Sequence, residues 1–184
     1  MALVIVTGLP ATGKSTLAVR LAVALGLPLI AKDTLKEALF DVLGTGDAGW
    51  SRRLSDASYA AMFAIAAVNL RAGRSVLLEG NFRAGEHEAP ILGCGARSIG
   101  QVLCAVPEPQ RAARLARRTR ERARHAGHLD HEAAATNPAA AAAAGGARFL
   151  DLPGLRLDYD GARAARGALD EVLRALEALR TASR

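Results

Sequence analysis

The chain has 184 residues, of which 51% are hydrophobic and 23% are charged, and its formal net charge at pH 7 is +6. This composition is typical of a globular protein and excludes an intrinsically disordered chain. The apolar runs are shorter than the roughly 18 residues of a membrane span, and the start of the chain lacks the basic segment of a secretion signal, so no membrane partner is expected. At this length we expect a single domain over residues 1–184.

The chain begins with a strand, a glycine-containing loop and a helix, in that order. Residues 2–6 are apolar and β-branched, as in a strand buried on both faces. Residues 8–15 read GLPATGKS and match the phosphate-binding pattern G-x-x-x-x-G-K-[ST] at every fixed position. Leu17, Leu21 and Leu25 then recur every fourth residue, which predicts a helix.

The chemistry of this loop predicts a bound nucleotide. Gly8 and Gly13 allow backbone conformations in which successive N–H groups turn toward an anion, and the start of the helix adds its own N–H groups. Lys14 reaches the β- and γ-phosphates, and the Ser15 hydroxyl can ligate Mg²⁺. The predicted nucleotide-binding residues are those of the loop and the first helical turn: Gly8, Ala11, Thr12, Gly13, Lys14, Ser15 and Thr16.

A second short strand is predicted at residues 29–31. Thr34 and Glu37 have the spacing of a capping box, so the next helix is predicted to begin after Thr34. Asp33 takes no part in this cap and lies at the carboxyl end of the strand, where ligands bind in open α/β sheets. We expect Asp33 to face the substrate; a surface pair with Lys32 or Lys36 is the alternative.

Residues 44–51 are predicted to form a loop around Trp50, and the apolar positions from Ser55 onward predict a helix that Gly73 ends. A third strand at residues 75–78 leads into Glu79. This carboxylate would lie beside the phosphate loop and could hold Mg²⁺ through water, although a role as a cap for the next turn is also open. A loop with a short helix is predicted at residues 83–97.

A fourth strand is predicted at residues 101–106 and is followed by an arginine-rich helix from about residue 109 to residue 125. Residues 107–131 hold seven Arg against three acidic residues, so this is a local cluster of positive charge. Leu115 is the only large apolar residue of the helix. We therefore expect a mobile lid over about residues 107–147 rather than a core helix, with a solvated charged face as the alternative.

The last third of the chain contains three histidines, a low-complexity stretch and one more strand and helix. His125, His128 and His131 recur every third residue and could collect a metal, but substrate or phosphate contact is favoured. Residues 133–147 are rich in alanine and are predicted to be a mobile connection. A fifth strand is predicted at residues 155–157 and a closing helix at residues 165–179.

Strands that alternate with helices predict an α/β fold of three layers, with about five parallel strands and helices on both faces. Cys94 and Cys104 are the only cysteines and have no metal-type spacing. Their small number favours a reducing compartment, the cytoplasm.

The chain resembles the P-loop kinase-like proteins that are grouped with AAA-family ATPases and are related to polynucleotide kinase, chloramphenicol phosphotransferase and zeta toxin. The resemblance depends on residues 8–16, on KDTLK at residues 32–36, on EGNF at residues 79–82 and on the arginine-rich stretch that ends at Asp130. It implies a nucleoside-kinase-like P-loop NTPase fold and an ATP- and Mg²⁺-dependent transfer of the γ-phosphate to a hydroxyl.

The resemblance also implies roles for single residues. Asp33 would be the general base, and Arg114 and Arg118 would be catalytic lid residues, with Arg118 also on the nucleotide and Arg124 behind them. Lys36 stands where relatives often have Arg. The acceptor would contact Asp33 and Lys36 together with Trp50, Asn81, Arg83, Arg124 and His128.

The acceptor and one other function remain open. A small molecule with a hydroxyl is favoured as the acceptor, and a nucleic-acid end is possible. The other function is a nucleotide-binding NTPase or sensor that docks nucleic acid through its arginine cluster, although no aromatic residues interleave with these arginines to stack on bases. The sequence does not determine the oligomeric state.

Overall fold

The computed structural model describes residues 1–120, residue 125, and residues 148–162 and 166–182. Five strands are described: β1 (Ala2–Thr7), β2 (Leu29–Ala31), β3 (Val76–Gly80), β4 (Ser98–Ala105) and β5 (Leu155–Asp160). The described helices are α1 (Lys14–Leu25), α2 (Lys32–Leu43), α3 (Ala48–Arg71), α4 (Glu88–Gly93), α5 (Glu108–Arg120) and α6 (Arg166–Thr181).

The five strands form one parallel sheet in the order β2-β3-β1-β4-β5. β1 is therefore the central strand, and the phosphate loop that follows it lies at the middle of the carboxyl edge. The register pairs Val6 with Glu79 and Thr7 with Gly80. The end of β3 is thereby placed directly beside the start of the loop.

Alternate side chains of β1 belong to two different hydrophobic clusters, one on each face of the sheet. Leu3 and Ile5 join the cluster that includes Met62 of α3. Val4 and Val6 join the cluster formed with α1 and α6. A sheet with apolar side chains on both faces must be covered on both faces, so the three-layer α/β fold predicted from the sequence is confirmed.

The predicted capping box at Thr34 and Glu37 is wrong. Helix α2 begins at Lys32, its N-cap is Ala31, and no side chain caps it. Ala31 keeps the extended conformation of the strand (φ −97°, ψ 126°), so β2 passes directly into the helix without a loop. Asp33 consequently lies in the first turn of α2, where the helix dipole favours a negative charge.

The predicted loop around Trp50 is also wrong, because Trp50 lies in the first turn of α3. The side chain of Asp47 accepts a hydrogen bond from the backbone N–H of Trp50 at 2.7 Å and caps the helix. An Asp three residues before the donor is a recognised N-cap signal. The neighbouring Gly46 and Gly49 concealed it, because glycines favour a turn.

The remaining described elements follow the predictions with longer strands. β3 extends through Gly80, β4 begins at Ser98 and β5 extends to Asp160. Helix α4 confirms the short helix predicted between residues 83 and 97. The continuation of the arginine-rich helix beyond Arg120 and the alanine-rich stretch lie outside the described residues. Among the helices that the structure describes, none is long and apolar enough to cross a membrane.

Candidate active site

The loop between β1 and α1 has the backbone conformation of an anion-binding nest. Gly8, Ala11 and Gly13 have φ values of 152°, 69° and 98°. A side chain at Gly8 would collide with the carbonyl oxygen of Cys104 at the end of β4, so only glycine fits there. Gly13 caps α1 without a side-chain hydrogen bond. The first N–H groups of α1 have no partner within the helix and can bind an anion.

Lys14, Ser15 and Glu79 form a polar cluster at the base of this loop. The Lys14 ammonium lies 3.5 Å from Glu79 Oε1, and the Ser15 hydroxyl donates to the same oxygen at 3.3 Å. Glu79 is 3% exposed and Lys14 is 8% exposed. Burial raises the pKa of the Glu79 carboxyl, while the Lys14 ammonium opposes this effect.

The donor set of this cluster suits Mg²⁺. The Ser15 hydroxyl and the Glu79 carboxylate are hard oxygen ligands, which Mg²⁺ prefers. Burial of the Glu79 carboxyl disfavours its charged form, so an added cation would stabilise that form. The residues at the loop therefore fit both of the predicted cofactors, a nucleotide phosphate chain and Mg²⁺.

Asp33 lies at the same edge of the sheet, in the first turn of α2 after β2, and β3 separates β2 from β1. Its Oδ1 is 3.2 Å from the Lys32 ammonium, so the alternative pair between these two residues is present. The Asp33 side chain is 34% exposed. Burial is the main cause of the raised pKa values of Glu79 and Tyr59, and the Asp33 charge adds to both shifts.

Lys36 and Trp50 are both predicted to contact the acceptor; Lys36 packs between α2 and α3, and Trp50 lies in the first turn of α3. Lys36 is 5% exposed, donates to the Ser51 hydroxyl at 2.8 Å and lies 5.1 Å from the centre of the Phe40 ring. The Trp50 indole donates to the Gly44 carbonyl at 2.9 Å. Their roles toward a substrate stay predictions.

Asn81 and Arg83 lie on the loop after β3, and two buried side chains hold its backbone. The Tyr59 hydroxyl donates to the Asn81 carbonyl at 2.7 Å. The backbone N–H of Arg83 donates to Nδ1 of His87 at 2.8 Å. The Tyr59 and His87 rings are 4.2 Å apart, and burial raises the pKa of Tyr59 and lowers that of His87.

Neither of these two contacts could be predicted from the sequence. The helical spacing of Tyr59 correctly predicts a core residue, but it contains no information about the partner of the hydroxyl. His87 shows no spacing signal. The Arg83 guanidinium pairs with Glu86 at 2.8 Å on the exposed side of the loop.

Arg114 connects the arginine-rich helix to the phosphate loop. Its guanidinium donates to the Thr12 carbonyl at 3.3 Å and to the Gly161 carbonyl, after β5, at 3.1 Å. A side chain at Gly161 would collide with the same Thr12 carbonyl, so β5 and the phosphate loop are in close contact. Arg111, which precedes Arg114 by three residues on α5, pairs instead with Glu108 at 2.7 Å.

A cavity of about 420 Å³ lies beside the loop, between α1 and α5. Four arginines line it: Arg20, Arg114, Arg117 and Arg118. The predicted lid residues Arg114 and Arg118 are thus brought to the phosphate loop. Arg20 and Arg117 were not predicted, because the helix that carries Arg20 comes from a distant part of the chain.

Arg124, His128 and His131 lie outside the described residues. His125 is described: its ring stacks on Phe40 with 5.3 Å between the ring centres, and its Nε2 is 3.2 Å from Asp41 Oδ1. Within the part of the chain that is described, no group of three or more His, Cys, Asp or Glu side chains could hold a metal ion. Cys94 and Cys104 are buried free thiols.

Comparisons with known proteins concern the family and the fold. The model of the AAA domain family matches residues 3–139. A candidate kinase from Chloroflexus aurantiacus is 32% identical over 97% of both chains, with a TM-score of 0.85. No curated protein matches the sequence.

More distant solved structures share the fold alone. A gluconokinase from Sinorhizobium meliloti is 16% identical, with 99% of this chain and 93% of that chain covered and a TM-score of 0.55. The APS kinase of Mycobacterium tuberculosis, in complex with AMPPNP and APS, is 20% identical over 96% of both chains, with a TM-score of 0.54.

Proposed function

Because the chain belongs to the AAA domain family and is a P-loop kinase-like protein, we propose that it transfers the γ-phosphoryl group of ATP to a hydroxyl. The observation that carries this proposal is the polar cluster at the loop. The Lys14 ammonium and the Ser15 hydroxyl lie 3.5 and 3.3 Å from the same oxygen of Glu79, and Asp33 follows β2, the strand beyond β3.

The phosphate chain of ATP is held by the loop. The N–H groups at the start of α1 bind the β-phosphate, and Lys14 adds a positive charge between the β- and γ-phosphates. The Ser15 hydroxyl would ligate Mg²⁺, and Glu79 would hold it through water. When bound, Mg²⁺ neutralises part of the charge on the phosphates and orients them.

Asp33 is the general base for the acceptor. Its carboxylate accepts the hydroxyl proton and directs the hydroxyl oxygen toward the γ-phosphorus, and such positioning supplies most of the catalysis in phosphoryl transfer. Arg118 contributes positive charge from α5 to the transferring group. The contacts of Arg114 with the Thr12 and Gly161 carbonyls support an additional role in holding the loop in place.

The acceptor is a small molecule with a hydroxyl. The names of two structural neighbours, a gluconokinase and an APS kinase, are in keeping with this class. Asn81 and Arg83, on the loop after β3, are predicted acceptor contacts, and the remaining ones are Lys36, Trp50, Arg124 and His128. Two buried thiols and no disulfide among the described residues suit a cytoplasmic protein.

A screen of hydroxyl acceptors for ADP release tests the proposal. The library includes sugars, amino alcohols and an oligonucleotide with a 5′-hydroxyl, each with ATP and Mg²⁺. Asp33→Asn should lower kcat by about 10²- to 10⁴-fold and leave the Kd for Mg-ADP within about twofold. Lys14→Ala should lose both binding and turnover. Wild-type turnover in Asp33→Asn would remove the proposed base, and no binding of Mg-ADP would refute the nucleotide site.

A further inference from the structure

The side chain of Lys32 is held inside the protein although it lies at the start of a helix. It is 12% exposed, and its ammonium is 3.2 Å from Asp33 Oδ1. The same ammonium lies 5.9 Å from the centre of the Tyr59 ring, within the range of a cation–π contact. Lys32 is therefore confined between the acid that follows it in the chain and an aromatic ring from α3.

This contact is not a by-product of helix geometry. Adjacent residues on a helix point in different directions, so Lys32 and Asp33 would not meet on an ordinary helix surface. The Lys32 β-carbon packs against Gly80 at the end of β3, where a β-carbon on the glycine would lie 3.4 Å away. β3 and Tyr59 together thus direct the ammonium toward Asp33.

The charges around the site explain why such a contact is needed. Glu79 and Asp33 are two negative charges at one edge of the sheet, and the Asp33 charge contributes to the raised pKa of Glu79. Each carboxylate has a lysine beside it, Lys14 at 3.5 Å from Glu79 and Lys32 at 3.2 Å from Asp33. Because like charges repel, Glu79 pushes the Asp33 carboxylate away, and Lys32 opposes this displacement.

We propose that Lys32 is a positioning residue that holds the Asp33 carboxylate toward the acceptor hydroxyl. This inference depends on the proposed function. In the transfer, the hydroxyl oxygen forms a bond to the γ-phosphorus, the bond from that phosphorus to the β–γ bridging oxygen breaks, and ADP leaves with the electron pair. The hydroxyl proton passes to Asp33. Lys32 exchanges no proton and acts through the orientation of Asp33 alone.

The test uses the full chain and the hydrolysis of Mg-ATP, in which water takes the place of the hydroxyl. Lys32→Met keeps an unbranched side chain that is one atom shorter and removes its charge. We expect kcat to fall by up to about 100-fold, because misplacing a reacting group by about 1 Å has such an effect, and KM for ATP to change less than about twofold. The control is Arg71→Met, which removes an exposed cation at the far end of α3.

A chemical rescue separates positioning from packing. Lys32→Cys should lose turnover as Lys32→Met does, and alkylation of the new thiol with bromoethylamine restores an ammonium at nearly the original length. We expect kcat to recover to within about threefold of the wild type. Cys94 and Cys104 are 3% and 0% exposed, so the same treatment of the wild type should leave turnover unchanged.

The outcomes distinguish this inference from the proposed function. Wild-type kcat in Lys32→Met, or no recovery of Lys32→Cys after complete alkylation, overturns the positioning role while Asp33→Asn still loses turnover. If the wild type neither hydrolyses Mg-ATP nor releases ADP with any acceptor of the screen, or if Asp33→Asn is as active as the wild type, the proposed function itself fails. Should Lys32→Met not fold, the alkylated and unalkylated forms of Lys32→Cys decide the question.

Discussion

The buried pair of Lys14 and Glu79 allows a quantitative test of the site without any nucleotide. The two side chains are 9% and 4% exposed, and 3.5 Å separates their charged atoms. Lys14→Met removes the cation and leaves a carboxylate in the interior. The only donor to Glu79 that then remains among the contacts described above is the Ser15 hydroxyl at 3.3 Å.

The size of the loss follows from this burial. Removing one partner of a buried ion pair costs about 3–5 kcal/mol, because the other charge stays buried without compensation. The carboxylate can instead take up a proton, and Ser15 still donates to it, so we expect about 2–3 kcal/mol. For a chain of this length this corresponds to a fall in Tm of about 5–10 °C.

Urea unfolding of the nucleotide-free protein at pH 7 measures this loss. The double variant Lys14→Met/Glu79→Gln has no buried charge at this position, so it should recover at least half of the loss. Arg71→Met, which removes an exposed cation, should change the free energy of unfolding by no more than about 0.5 kcal/mol. The reasoning is refuted if Lys14→Met is as stable as the wild type, or if the losses of the two single variants add in the double variant.

Two further predictions concern the loops around the site. Because burial lowers the pKa of His87, the unfolded chain binds a proton more readily than the folded one, so the stability present above about pH 6.5 should be lost as the pH falls through the lowered pKa. In thermal melts between pH 8 and pH 4.5, the Tm of His87→Phe should fall less with falling pH than the Tm of the wild type. An equal fall in Tm for the two proteins would contradict this account. Gly161→Ala places a methyl group against the Thr12 carbonyl, so it should cost about 1–3 kcal/mol and weaken Mg-ADP binding in calorimetry. Gly167→Ala, at a helical position with open space around it, should instead stabilise by about 0.5–1 kcal/mol, and equal effects of the two substitutions would disprove the steric argument.

The sequence by itself determined the phosphate loop and the layers of the fold. The pattern at residues 8–15 is local, and its glycines and its lysine specify their own backbone and chemistry. The alternation of apolar strands and helices is likewise a property of short segments, and it predicted the five parallel strands correctly. Asp33 and Glu79 could be placed at the sheet edge for the same reason, because each ends a recognisable strand.

The tertiary structure alone decided which of these residues meet. Lys14 contacts Glu79 because β3 is adjacent to β1 in the sheet, and that pairing joins residues far apart in the chain. The start of α2 at Lys32, in place of the predicted cap at Thr34, depends on how β2 enters the sheet. The Lys32 ammonium lies beside both Asp33 and the ring of Tyr59, which α3 supplies. A local sequence pattern indicates which secondary structure a segment forms. Contacts across the sheet depend instead on strand order and register, and these cannot be predicted from any single segment.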